Sequence, residues 1–267
     1  RERACLCLVA KALRRPVKWA PDFADVNKHD DRVRDCEFDC ELALDADGTF
    51  LGIRLRGFAS LGAYPTGEGL YEAWTMIARD LEAAYRIPLV EISSKVVFTN
   101  TWPSGSGDFD TNYFLERLVD RAARETDIDP VELRKRNVPK LWDRLLLERV
   151  VIASDAVGFP TRRKKSAATG ELRGLGIANH YAAPEQGSPL PRGPHVAEVE
   201  IDQETGWIEV VRYTTASNFG TGDAKGASAC GGAVALPSIT NAVVDALGGW
   251  HIEMPATAER VWRILRT

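Results

Sequence analysis

The sequence predicts an α+β fold built from two mixed sheet-and-helix domains, and three observations predict it. Short runs rich in Val, Ile and Leu gather in groups separated by turn signals. Capped amphipathic helices stand apart from those runs. A glycine-rich segment, Phe219–Leu247, feeds directly into a helix. Strands and helices segregated in this way argue α+β rather than a regular βαβ alternation. The domain boundary is placed in Val138–Lys165, where neither period is clear, giving domains over residues 1–141 and 142–267.

The elements follow in order. Arg3–Arg14 reads as a helix with Leu6, Val9, Ala10 and Leu13 as its apolar stripe. Pro16–Trp19 reads as a short strand, and the charged stretch Asp22–Arg34 as a loop. Phe38–Leu44 and Phe50–Leu61 are strands joined by Asp45-Ala46-Asp47-Gly48, a hairpin turn signal. Leu89–Phe98 is a further strand. Tyr113–Glu125 is a helix with Phe114, Leu115, Leu118, Val119 and Ala122 on one side. Asp129 then caps a second helix, with Pro130 at its first position and Glu132 in a capping-box-like place, and that helix stops near Asn137. Leu172–Tyr181, His195–Asp202 and Trp207–Ala216 are strands, the last two joined by a loop with Gly206 near its end. In that hairpin Val196, Val199 and Ile201 alternate against Ile208, Val210 and Val211. Pro237 marks the start of a helix whose apolar face is Ile239, Ala242, Val243, Ala246 and Leu247. Thr257 caps a last helix carrying Val261, Trp262 and Leu265.

Composition narrows the functional classes. The chain has 267 residues, 45% hydrophobic and 27% charged, with a net charge of −4. A net negative charge argues against nucleic-acid binding, which relies on excess Lys and Arg. Arg162-Arg163-Lys164-Lys165 reads as a solvated surface loop. No run approaches the roughly 18 apolar residues of a membrane span. Five cysteines, an odd number in a long chain, suit a reducing, cytoplasmic setting. Cys5 and Cys7 point about 200° apart on a helix, which disfavours a shared metal site with Cys36 and Cys40.

The glycine-rich segment carries most of the functional information. Gly220, Gly222, Gly226, Gly231 and Gly232 let the backbone approach a ligand closely. Bare N–H groups leading to a helix N-terminus form a cradle for phosphate. After Lys225 the loop holds only Ser228 and Cys230 as reactive groups. Cys230 could act as a nucleophile if a histidine approached it, or simply fill a tight loop. Ser228 lacks a Gly-x-Ser-x-Gly setting. His29, His180, His195 and His251 show no metal-ligand spacing, and a structural role suits them. A second glycine-rich run, Trp102–Asp110, also precedes a helix, but Asp108 and Asp110 oppose an anion there.

Taken together, several segments resemble one family: the molybdenum-binding large subunit of aldehyde oxidases, xanthine dehydrogenases and aerobic carbon monoxide dehydrogenases. They include RRPVKW (Arg14–Trp19), ELALDADGTFLGIRLR (Glu41–Arg56), GAYPTGEGL (Gly62–Leu70), AYRIP (Ala84–Pro88) and VFTNTWP (Val97–Pro103). NYFLERLVDRAARETDIDPVELRKRN (Asn112–Asn137), LRGLGIAN (Leu172–Asn179) and HVAEVEIDQETGWIEVVRY (His195–Tyr213) continue in the family's order. ALPSITNAVVDAL (Ala235–Leu247) and MPATAERVWRIL (Met254–Leu265) complete it. GAYPTGEGL looks closest to the carbon monoxide dehydrogenase branch.

The resemblance implies a molybdopterin cofactor, hydroxylation of a small substrate, and electron transfer to iron–sulfur and flavin partner subunits. It implies cofactor contacts at Gly226, Ala227, Ser228, Ala229 and Gly231. It also implies a loss. The family's KGxGEAG loop is here Lys225–Gly231, with Ala229 where the general-base Glu belongs, and a methyl group cannot take a proton. The Tyr-Arg-Gly-x-Gly loop expected after TNTWP is reduced to Ser104–Asp110, and central segments expected between Tyr181 and His195 and between Phe219 and Lys225 are missing. An impaired hydroxylase and a non-catalytic scaffold or partner-binding remnant, with homo-oligomerisation open to either, are both consistent with that pattern.

Overall fold

The computed structural model describes residues 2–18, 36–63, 81, 84–100, 111–180, 193–217, 220–222 and 232–267. Its elements are α1 (Glu2–Leu13), β1 (Cys36–Leu44), β2 (Phe50–Gly62), β3 (Val90–Phe98), α2 (Thr111–Thr126), α3 (Pro130–Asn137) and α4 (Leu141–Ala153). A 3₁₀ turn (Ala156–Gly158) leads into α5 (Phe159–Ala168), β4 (Glu171–His180), β5 (Gly193–Asp202), β6 (Ile208–Ser217), β7 (Gly220–Gly222), α6 (Gly232–Ala246) and α7 (Ala258–Ile264). The architecture is α+β, with a three-stranded sheet ordered β1-β2-β3 and a four-stranded sheet ordered β4-β5-β6-β7.

The first sheet grows from the expected hairpin. Asp45 Oδ1 accepts from the N–H groups of Asp47 at 3.0 Å and Thr49 at 2.8 Å, and Gly48 takes φ +80° to close the turn. β1 and β2 are antiparallel, whereas β3 joins β2 in parallel. Ile53 and Leu55 bury one face, with Leu115 and Val119 of α2 and Leu133 of α3 in the same core. The other face carries Arg54 between Glu41 at 2.7 Å and Glu91 at 2.9 Å. Asn137, the last residue of α3, fastens the hairpin: its Oδ1 accepts from Phe50 N, and its Nδ2 donates to Gly48 O, each at 2.8 Å.

The second sheet is covered on both faces. α6 lies against β4 and β5, with Ala197, Val199, Ile201, Ala242 and Val243 buried between them. On the opposite face Leu147 and Val150 of α4 meet Ile177 and Val196. Gly206, at φ +73°, ends the β5–β6 turn where an added Cβ would lie 2.1 Å from Ala258 O of α7.

Several expectations are corrected. Pro16–Lys18 forms no strand; Pro16 has no N–H, and no strand runs beside it among the described residues. Val138–Lys165 is largely helical. The apolar residues of α4 lie all round the helix, so no single stripe marks it. The basic run lies on α5, not in a loop: Arg162 pairs with Glu198 and Asp155, and Arg163 with Asp245 at 3.0 Å. Pro237 sits inside α6. Glu132 turns to Lys135 at 2.8 Å, while Asp129 alone caps through Val131 N and Glu132 N. Val210 is exposed although it pairs with the buried Val199, and the β5–β6 register shifts just beyond this pair, at Glu198/Val199. Leu13 and Val9 of the α1 stripe are exposed, and so is Trp262. Asp22–Arg34 lies outside the described residues.

Candidate functional site

Gly226, Ala227, Ser228, Ala229 and Gly231 lie outside the described residues, as do Lys225, Cys230, His29 and Trp102–Asp110. The structure describes the frame on either side of the glycine-rich segment: β7, paired antiparallel with Thr215–Ser217, and α6 from Gly232 onward.

Close contact seats α6 on β4. A Cβ at Gly174 would fall 1.9 Å from Ala242 O, and one at Gly176 would fall 2.0 Å from Ser238 O. Only a bare α-carbon permits that approach. Asp245, at the far end of the helix, accepts from Leu175 N at 3.0 Å. The helix that follows the candidate loop is therefore fixed to the strand at both ends of their contact.

Beside it runs a buried polar seam that no periodicity reveals. Arg134 and Glu116 are both fully buried. Arg134 donates to Glu116 Oε2 through Nε at 3.0 Å and Nη2 at 2.7 Å. It also donates to Ile177 O at 2.8 Å and to Pro130 O at 3.0 Å. Tyr85 donates its hydroxyl to Glu116 Oε1 at 2.6 Å and accepts from Asn179 Nδ2 at 2.9 Å. Asn241 of α6 donates to the same Ile177 carbonyl at 2.9 Å and accepts from Arg117 at 2.5 Å. This seam ties α2 and α3 to the β4 edge and to α6. Burial opposes the Arg134 cation, but Glu116, then Tyr85 and Asp120, outweigh it and hold the guanidinium firmly charged. Burial first, then the Glu116 charge, pushes the Tyr85 hydroxyl well above its ordinary range.

At the end of the sheet from which β7 departs lies a histidine corner. His195 is fully buried, and its Nδ1 meets the Tyr213 hydroxyl at 2.7 Å. His180 Nδ1 meets Asn112 Nδ2 at 2.7 Å, and the two imidazoles stand edge to face with centroids 6.4 Å apart. Burial first, and His180 second, pull the His195 pKa down to about 3, so this ring is neutral at physiological pH. His251 is exposed and remote from this corner in sequence. Cys40 is a poor nucleophile: burial, then Asp39 and Cys36, raise its thiol to about 11.

Among the described residues, no three His, Cys, Asp or Glu side chains gather as metal ligands, and no helix is long and apolar enough to cross a membrane. For a molybdopterin group the frame is compatible and electrically balanced. Arg134 is matched to Glu116, and Arg117 to Asp120 at 3.3 Å.

Comparison with known proteins gives a consistent answer. The chain is 29% identical over 146 residues to the gamma subunit of the 6-hydroxypseudooxynicotine dehydrogenase complex of Paenarthrobacter nicotinovorans, covering 51% of this chain and 18% of that one. It is 31% identical over 139 residues to the carbon monoxide dehydrogenase large chain of Hydrogenophaga pseudoflava, covering 50% of this chain and 17% of that one. Its fold is similar to that of reconstituted CO dehydrogenase from Oligotropha carboxidovorans, with a TM-score of 0.63 at 14% identity, over 98% of this chain and 65% of the other. The chain thus matches less than a fifth of the length of these two curated relatives. Residues 1–138 match the family model of the molybdopterin cofactor-binding domain. With that match covering more than half of its length, the chain belongs to the molybdopterin cofactor-binding domain family.

Proposed function

We propose that this chain is a cofactor-holding part of a molybdenum hydroxylase large subunit whose general base has been lost. The observation that carries the reading is Ala229 in the segment Lys225–Gly231, which leads in sequence into the helix seated on β4 at Gly174 and Gly176. When bound, molybdopterin supplies the redox chemistry of substrate hydroxylation. In this reading the backbone of Gly226–Gly231 binds and orients the cofactor, and no side chain at 229 holds a proton. Iron–sulfur and flavin subunits would be the electron-transfer partners, in the cytoplasm.

The test is metal and pterin analysis of the chain purified from cells that make the cofactor. Molybdenum and pterin near one per chain, with no hydroxylase activity, is the expected result. Absence of both would refute cofactor holding. An Ala229→Glu variant that binds equal molybdenum and gains activity would support the assignment of that position; equal binding without activity would count against it.

A second reading, a partner-binding remnant, is favoured by the outer face of α4. Leu141, Trp142 and Ile152 are 71%, 63% and 78% exposed there. Large apolar groups of this kind are enriched where proteins meet partners. A chain that lacks molybdenum yet recovers a partner, and releases it on Trp142→Ser, would favour this reading.

A further inference from the structure

The outer face of α4 is unlike an ordinary solvent face. At 3.6 residues per turn, Leu141, Leu145 and Ile152 fall within about 40° of one another around the axis, forming a ridge about 16 Å long. They are 71%, 43% and 78% exposed, and Trp142, at 63%, stands beside them. The opposite side of the helix is occupied by the second sheet, which it meets through Leu147 and Val150. Cations border the ridge on both flanks, Arg149 on the side of Trp142 and Lys140 and Arg144 on the other. None of these three makes an ion pair among the described residues. Of the acids on α4, Asp143 is buried and Glu148 is held by Lys135 at 2.7 Å. On a chain of net charge −4, an apolar ridge edged by uncommitted cations is a local reversal of sign.

We propose that this ridge docks an acidic amphipathic helix of a partner protein. The partner's apolar line packs on Leu141, Leu145 and Ile152, and its flanking Asp or Glu residues meet Lys140, Arg144 and Arg149. Charge sets the sign of the partner, because opposite charges at a rim steer and orient an encounter while like charges reject it. Size sets its form. The ridge and Trp142 offer on the order of 500 Å² of apolar surface, short of the roughly 800 Å² that each side of a standard stable interface buries. That area suits one helix of about three turns, the length of the ridge itself. A second copy meeting this face about a two-fold axis would bring the cations of both copies together, which opposes self-association. An anionic bilayer would meet the chain's net negative charge, and Glu132 and Glu148 as well, which share Lys135 beside the ridge. The docking rests on the partner-binding reading of this chain and does not involve the cofactor loop.

The test uses the whole chain and a fluorescent, side-chain-stapled synthetic helix with a line of leucines flanked on both sides by glutamates. A second peptide keeps the leucines and replaces every glutamate with lysine. Fluorescence anisotropy is expected to show the glutamate peptide bound at least about ten-fold more tightly than the lysine peptide, with the preference shrinking as salt is raised. Trp142→Ser and Leu145→Ser should each weaken the glutamate peptide by about five-fold or more, and Arg149→Glu should narrow its lead over the lysine peptide. All three changes lie on the outward face, and circular dichroism checks that each variant is folded. Equal binding of the two peptides, or a preference for lysine, would overturn the proposal. So would failure of the glutamate peptide to bind while the chain adsorbs to phosphatidylglycerol vesicles, or sediments as a dimer that Trp142→Ser dissociates. If the glutamate peptide does not bind, yet a partner recovered with the chain is released by Trp142→Ser, the acidic helix falls and the partner-binding reading stands. If no change on α4 alters any binding, both fall.

Discussion

Replacing Arg134 with Met should be the most damaging single change in the described frame, and the structure indicates its size. Arg134 is fully buried and makes four hydrogen bonds, two to Glu116 and two to main-chain carbonyls. Ile177 O keeps a bond from Asn241 after the substitution, so the carbonyl side of the loss is modest. Glu116 keeps only the Tyr85 hydroxyl among the side-chain donors described above, and is left as a buried carboxylate without its cation. Breaking a buried pair from one side typically costs about 3–5 kcal/mol, a large part of a total stability of roughly 5–15 kcal/mol. Replacing both partners with apolar groups is far cheaper, because no charge stays behind. We therefore expect urea unfolding, followed by circular dichroism, to show Arg134→Met destabilised by about 3–5 kcal/mol and Arg134→Met/Glu116→Leu by less than that single variant. A cost below about 1 kcal/mol for Arg134→Met, or a double variant equal to the sum of the singles, would refute the pairing argument.

Two further outcomes follow from the same frame. Gly176→Ala would put a methyl group 2.0 Å from Ser238 O, and should lower stability by about 1–3 kcal/mol or more as α6 is pushed from β4; an unchanged urea midpoint would contradict the packing. His195 has a folded pKa of about 3 against an ordinary 6.5, so the unfolded chain binds its proton first, and the resulting stability is full above about pH 6.5 and is lost as pH falls towards 3. Between pH 6.5 and 4.5 this amounts to roughly 2–3 kcal/mol, and His195→Gln should flatten the stability profile by about one proton over that range.

Local chemistry made much of the fold legible in the sequence. Asp45 to Gly48 specified a turn because its side-chain and φ > 0 requirements are met within four residues. Asp129 and Pro130 specified a helix start for the same reason. α4 was missed because its apolar residues surround the helix, and a period needs a polar face to contrast with. Pro237 misled because proline is most common at a helix start, whereas here it is carried inside a helix that begins five residues earlier. Arg134 was invisible as a buried residue because its partner Glu116 is 18 residues away and Ile177 is 43 away. A charged side chain reads as surface until its partner in space is known. For the site, Gly174 and Gly176 had appeared only as letters in LRGLGIAN; the space available to a Cβ gave them a physical reason.

The separation of these two kinds of information bears on how such a site can be lost. Among the described residues, the contacts that position α6 are made by Gly174, Gly176, Asp245 and Asn241. In the reading proposed here, replacing the base at 229 by alanine removes a proton acceptor, while the described bonds of the frame are made by other residues. Selection on folding would then continue to hold the glycines and the Arg134 seam in place after selection on catalysis had ceased. In the same reading, Ala229→Glu should leave the unfolding midpoint close to that of the parent chain, and a marked shift would refute the separation of base from frame. That is why loss of activity and loss of stability are expected to fall on different residues of this protein.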